Sequence, residues 1–199
     1  ADDTMEDALG NLIVFKKGYG ENKKKIMLSG HMDEIALQVI KIEENGTIMV
    51  KGLGSCWMYT TYQSRVQFKN GVIGIVSSRV RPENIDGKFT HLFVDIGLSK
   101  KEEVLKYVDV GDTAVFVGPY VNMPGNNITA KAIDDRVGCY MMMETLMQQK
   151  EHYNDVYYVF SVQEEVGCRG SQVSAERIKP DIGVAVDVTP AHDRPGDLE

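Results

Sequence analysis

The sequence predicts an α/β sheet flanked by helices and interrupted by a small β-rich domain. Apolar strands alternate with helix-like stretches at both ends of the chain, which is the pattern of an α/β sheet. The middle instead carries short strands joined by tight turns, with a single helix signal. Two Asn-Gly pairs, Asn45-Gly46 and Asn70-Gly71, sit between strand-like runs there. Both residue types tolerate positive φ, so the pair is a strong hairpin signal.

Leu9–Phe15 reads as a short strand. Lys25–Gly30 is a second apolar run, with His31 at its end. Ile35–Ile42 and Thr47–Val50 flank the first Asn-Gly turn. Val66–Phe68 and Val72–Val76 flank the second. His91–Ile96 is a further strand. Ser99-Lys100-Lys101-Glu102 has the pattern of a capping box and predicts a short helix to about Tyr107. Asp112–Val117 is strand-like again. Beyond Pro119 the α/β pattern returns: a helix over Asp135–Gln149, a strand over Val156–Val162, a short helix over Ser174–Ile178 and a strand over Ile182–Val186. The expected division is therefore 1–38 and 119–199 for the α/β domain, with 39–118 as the insert.

Bulk properties narrow the function. The chain has 199 residues, 43% hydrophobic and 26% charged, with a net charge of −7. A general nucleic-acid binder is usually basic, so that role is disfavoured. No stretch approaches membrane-spanning length. The acidic N-terminus, Ala1-Asp2-Asp3-Thr4-Met5-Glu6-Asp7, lacks an apolar signal core. The three cysteines, Cys56, Cys139 and Cys168, form no zinc pattern and no disulfide framework. Buried thiols in a reducing, cytoplasmic location are the expectation.

Four acidic segments carry the chemistry: His31-Met32-Asp33-Glu34, Asp134-Asp135-Arg136, Gln163-Glu164-Glu165-Val166-Gly167 and Asp187-Val188-Thr189. Each follows an apolar run or opens a helix. Together they offer one imidazole and several carboxylates, the donor set for two divalent cations, with a carboxylate to spare as a base. Asp33 is placed to receive the free ring N–H of His31. Asp134 and Asp135 alone are equally well explained as acidic residues at a helix N-terminus. Glu164 and Glu165 are harder to dismiss. Adjacent carboxylates after a buried strand repel unless a cation or proton intervenes, and one can bind metal while the other acts as base. Asp187 ends an apolar strand, where an unpaired carboxylate is costly. His91, His152 and His192 lie at a strand start or in polar loops. Met141, Met142, Met143 and Met147 read as core filling. Ser161 has no nucleophile-elbow context and Cys168 no paired histidine, which argues against a covalent hydrolase.

These segments resemble the tetrahedral aminopeptidases, a co-catalytic metallopeptidase family that includes glutamyl and deblocking aminopeptidases. The matching stretches are Leu9-Gly10-Asn11-Leu12, Gly30–Ile35, Lys131–Gly138, Gln163–Gly167 with Arg169-Gly170, and Asp187-Val188-Thr189 with Asp193-Arg194-Pro195-Gly196. The resemblance implies a metallopeptidase-type mixed sheet interrupted by a β-rich domain. It implies that His31 binds one metal, that Asp134 bridges two, and that Glu165 and Asp187 each hold one. It makes Glu164 the general base and Asp33 the residue that orients His31, and it implies a cis peptide after Asp134. It further implies peptide substrates, two divalent ions (zinc first, with cobalt or manganese also fitting) and a large homo-oligomer, a dodecamer.

The family has a fifth ligand, a histidine well beyond the Asp-Val-Thr motif, and a helix before Leu-Gly-Asn-Leu. By that standard the sequence reads as an internal portion of a longer enzyme. The 199-residue chain alone is then expected to hold at least one metal weakly. The insert is expected to mediate subunit contacts and to supply no metal ligand. The leading expectation is a metal-dependent aminopeptidase. Its rivals are a catalytically silent assembly or binding subunit, and an amidohydrolase or deacylase on the same scaffold.

Overall fold

A computed structural model describes residues 1–81, 84 and 91–191. The chain forms two compact units. One comprises Ala1–Asp33 and the chain from Ala132 onward; the other is Glu34–Lys131. The second unit starts earlier and ends later than the 39–118 span expected from sequence.

The first unit is built on a mixed five-stranded sheet. Its strands are β1 (Asp3–Glu6), β2 (Leu12–Lys16), β3 (Lys25–His31), β12 (Asp155–Ser161) and β13 (Ile182–Ala185), in the order β1-β2-β12-β3-β13. β2 runs antiparallel to β1 and β12, whereas β3 runs parallel to both β12 and β13. β1 lies in the acidic N-terminal segment and has no alternating apolar pattern. Its pairing with β2 organises it. Among the described residues of this unit the helices are α3 (Ile133–Gln148) and α4 (Arg169–Ile178).

Side-chain alternation on β12 divides the core between the two sheet faces. Val156, Tyr158 and Phe160 pack with Val14, Cys139 and Met142, the last two from α3. Val159 packs with Ile13, Met27 and Ile178, the last from α4. The sheet thus has a helix on each face. Of the α3 methionines only Met142 is core. Met141, Met143 and Met147 are exposed, so the expectation that all four fill a core is corrected. A helix buries one stripe, and these three lie off it.

The second unit contains a closed six-stranded barrel. β4 (Ala36–Ile42) and β5 (Ile48–Leu53) form the first hairpin, and β6 (Arg65–Phe68) and β7 (Ile73–Ser78) the second. β8 (Leu92–Asp95) and β9 (Thr113–Phe116) complete the ring in the order β4-β5-β8-β7-β6-β9. Both Asn-Gly pairs fall in the hairpin turns. The interior is filled by Leu37, Val39, Val50, Val66, Val76, Leu92 and Val94, all at most 2% exposed. Two short helices, α1 (Met58–Thr61) and α2 (Lys101–Val104), lie between strands. α2 is capped at Lys100 with no side-chain hydrogen bond, so the expected Ser99 capping box does not form. An exposed ribbon of β10 (Val121–Met123) and β11 (Asn127–Thr129) follows. Among the described residues no helix is long and apolar enough to cross a membrane.

Asp7 and Asn11 tie the start of β2 to the turn after β12. The Asn11 side chain is fully buried. Its Oδ1 accepts the Val162 N–H at 2.9 Å, and its Nδ2 donates to Gly170 O at 3.1 Å and Asp7 Oδ2 at 2.8 Å. Asn11→Ala leaves two buried polar groups and one partly buried N–H unpaired and is expected to cost about 2–4 kcal/mol, read by urea unfolding. Burial pushes the Asp7 carboxyl up. Bonds from the Asn11 amide and from the N–H groups of Asn11, Leu9 and Gly10 outweigh it and leave the carboxyl below its usual range. A carboxyl depressed by folding adds stability above its unfolded pKa, about 3.9, and loses it as pH falls through the folded value. Asp7→Asn is therefore expected to be less stable than the parent at neutral pH, with the gap closing below about pH 4. A gap that stays constant across that range would remove the carboxylate charge from the account.

Candidate metal centre

The parallel register sets the site. His31 ends β3 directly opposite Ser161 at the end of β12. The Gln163–Glu165 turn follows β12, and Asp187 follows β13. His31 is 3% exposed. Its Nδ1 lies 3.2 Å from the Asp33 backbone carbonyl and 3.5 Å from Asp33 Oδ1. Its Nε2 faces Asp134 Oδ1 at 3.0 Å, Glu164 Oε2 at 3.7 Å and Asp187 Oδ1 at 4.0 Å.

A carbonyl can only accept, so Nδ1 carries the ring hydrogen. Nε2 then presents a lone pair to carboxylate oxygens, an arrangement that needs a proton or a cation. Burial opposes charging of the ring, but the carboxylates of Asp33, Glu164 and Asp134 outweigh it and raise the His31 pKa. Burial, with help from the negative charge of Asp134, likewise raises the Glu165 carboxyl. Both shifts express an excess of negative charge in a partly desolvated place.

Asp33 does more than face the imidazole. Its Oδ1 accepts the Glu164 N–H at 3.1 Å and its Oδ2 the Glu165 N–H at 3.2 Å. One carboxylate thereby holds the turn that presents both glutamates. The ring N–H expected to reach the Asp33 carboxylate is taken by the Asp33 backbone carbonyl instead, and the contact with the turn, made 131 residues away in the chain, has no signal in the spacing.

Asp134 and Asp135 occupy the first turn of α3 with non-helical backbone angles, joined by a cis peptide. Their side chains have different surroundings. Asp134 is largely exposed, whereas Asp135 is fully buried. Asp135 Oδ2 accepts the His31 N–H at 3.1 Å and Oδ1 accepts the Gly138 N–H at 3.2 Å. Burial raises the Asp135 carboxyl, and the His31 N–H offsets this only in part. Glycines make the space. A Cβ at Gly30 would stand 2.9 Å from Asp135 Oδ2, and one at Gly138 would stand 2.3 Å from Oδ1. Sequence reasoning gave Asp135 no role of its own. The signal for it was Gly138, one turn later in a helix that otherwise avoids glycine.

Cys139 supports the same strand end. Its Sγ donates to the His31 carbonyl at 3.1 Å, and burial pushes the thiol up to about 11, so it keeps its proton. Of the three free cysteines only Cys139 is buried. Cys56 is partly buried and Cys168 exposed, which corrects the expectation of three buried thiols. Cys168 instead donates to Glu164 Oε1 at 3.1 Å. Residues 192–199, including His192 and the 193–196 stretch, lie outside the described residues.

The donor set suits a divalent cation. Among the described residues, ligand atoms of His31, Asp134 and Glu165 lie within 4.8 Å of one another, as do those of His31, Asp135 and Asp187. Imidazole nitrogen and carboxylate oxygen suit zinc, cobalt or manganese. His91 and Asp95 belong to the Glu34–Lys131 unit and to neither group.

Known proteins resemble this chain in sequence and fold. A protein of Acetivibrio thermocellus is 43% identical over 195 residues, which is 98% of this chain and 58% of that protein. An aminopeptidase of Desulfurococcus kamchatkensis superposes with a TM-score of 0.91 at 38% identity, over 100% of this chain and 56% of its own. The TET1 peptidase of Pyrococcus horikoshii, described as assembling into a tetrahedron or a large octahedral shell, has a TM-score of 0.80 at 28% identity. That match covers 99% of this chain and 62% of the TET1 chain. The chain therefore spans a little over half the length of these relatives. The sequence model of the M42 glutamyl aminopeptidases matches residues 10–199, nearly end to end and across all four acidic segments, and the chain belongs to that family.

Proposed function

We propose that this chain carries most of the catalytic centre of a metal-dependent aminopeptidase that removes N-terminal residues from peptides. The observation that carries the reading is the convergence of Asp134, Glu164 and Asp187 on the Nε2 of a buried imidazole. Family membership supports it.

In this reading His31, Asp134, Glu165 and Asp187 would hold two divalent ions. Zinc is the first choice, with cobalt or manganese as alternatives. Asp135 is left to support, because its oxygens already accept two backbone N–H groups. The bound pair supplies Lewis-acid chemistry, lowering the pKa of the attacking water and polarising the scissile carbonyl. Glu164 Oε2 takes the proton of that water and returns it to the departing amine nitrogen. Asp33 fixes the tautomer of His31 through its carbonyl and holds Glu164 and Glu165 through their N–H groups.

The proposal extends to assembly. The P. horikoshii relative is described as forming closed shells. We assign this chain a comparable homo-oligomer, with subunit contacts carried by the inserted β-rich domain. Three free cysteines suit a reducing, cytoplasmic setting.

The test uses the full-length protein with added zinc, cobalt or manganese and aminoacyl-anilide substrates. Glu164→Gln is expected to lower kcat by about 100-fold or more while metal content stays at the parental level. Glu165→Gln is expected to lose both metal and turnover. Near-parental rates in Glu164→Gln would sink the base assignment. A parent that binds metal but turns over no peptide would favour the silent binding subunit.

A further inference from the structure

The proposed mechanism uses Glu164 and leaves its hydrogen-bonding neighbour unexplained. We propose that Cys168 is a positioning residue for Glu164: its thiol caps Oε1 and so leaves Oε2 fixed toward the reacting water. This inference rests on the reading of Glu164 as the base.

The turn after β12 creates the pair. The N–H groups of Gly167 and Cys168 both donate to the Glu164 carbonyl at 2.8 Å. The backbone of Cys168 is left-handed, with φ at 53°. Its Sγ then lies 3.1 Å from Glu164 Oε1. The other oxygen, Oε2, is the one that faces His31 Nε2, at 3.7 Å. The two carboxylate oxygens are thus distinguished. One accepts from the thiol, and the other points into the donor cluster where a water would be activated.

A free carboxylate rotates about its last torsion, a broad and roughly two-fold well. A donor on one oxygen narrows that well and fixes the carboxylate plane, so the other oxygen stays directed at the cluster. The thiol is suited to this at neutral pH because the Glu164 carboxylate beside it raises its pKa and keeps the proton in place. Cys168 is exposed, so truncating it opens no cavity and removes little packing. Its side chain contributes a donor and almost nothing else.

Two measurements on the full-length protein test the role. In steady-state kinetics with metal present, Cys168→Ala is expected to lower kcat about fivefold, the size of one modest hydrogen bond, and to leave KM within about twofold. Cys168→Ser, which keeps a hydroxyl donor, is expected to recover kcat to within about twofold of the parent. A packing role would give the opposite order, with Ala tolerated better than the polar Ser. The second measurement needs no turnover. Cys168 is alkylated with iodoacetamide in metal-free protein, the sulfur displacing iodide, and the rate is read by peptide mass spectrometry. Glu164→Gln is expected to speed this reaction about threefold or more, since the carboxylate that holds the thiol protonated is gone.

An unchanged alkylation rate in Glu164→Gln overturns the pairing whatever the activity. A Cys168→Ser variant no better than Cys168→Ala overturns the donor role. A parent without peptidase turnover overturns the base reading instead, and the positioning role falls with it.

Discussion

The parallel pairing of β3 with β12 and β13 is the constraint on which the site depends. Parallel strands in register end at the same edge of the sheet, and loops leaving that edge converge. Here His31 stands opposite Ser161, and Ala185 opposite Ser29. The residues that follow each strand need to travel only a short way to meet. A slip of one residue in β12 would exchange the α3-facing and α4-facing side chains and move Glu164 and Glu165 away from the imidazole. The apolar core on both faces therefore locks the register that the chemistry needs.

Once the strand ends are fixed, charge decides the rest. Asp33, Asp134, Glu164, Glu165 and Asp187 gather around one histidine. That crowding raises the His31 pKa against burial, and burial with the crowding raises that of Glu165. Backbone donors hold two of the carboxylates in the neighbourhood. Asp33 is held by the N–H groups of Glu164 and Glu165, and Asp135 by those of His31 and Gly138. Among the described residues Asp134 and Glu165 accept no such backbone pair and Asp187 accepts only the N–H of its neighbour Val188, and these are the residues assigned to the ions.

Local patterns in the sequence were enough for many elements and failed for others on physical grounds. The Asn-Gly pairs marked both barrel hairpins, because each turn needs a positive φ and Gly46 and Gly71 supply it locally. The strands from Lys25 and from Val156 were legible as apolar runs. β1 was not, since a strand made of Asp3, Thr4, Met5 and Glu6 is organised by its partner. Ser99 looked like a cap because the spacing of Ser and Glu was right, yet the helix begins after Lys100. The four acidic segments were visible as chemistry before any fold was known. Their division of labour was not. Asp134 and Asp135 are identical in type and adjacent in sequence, and only burial separates an exposed carboxylate from a buried support. The thiol on Glu164 was equally hidden, because an exposed cysteine in a turn carries no signal until its neighbour is placed.

The cradle around Asp135 has an evolutionary consequence. Gly30 and Gly138 are separated by 108 positions, yet both are bare because one carboxylate occupies the volume their side chains would take. Removing that carboxylate strands two backbone donors, and adding a methyl at either glycine pushes the carboxylate off them. No single substitution among the three leaves the others satisfied, so drift along this lineage meets a barrier that only simultaneous replacements can cross. The three positions are expected to be inherited as one unit, changing together or not at all.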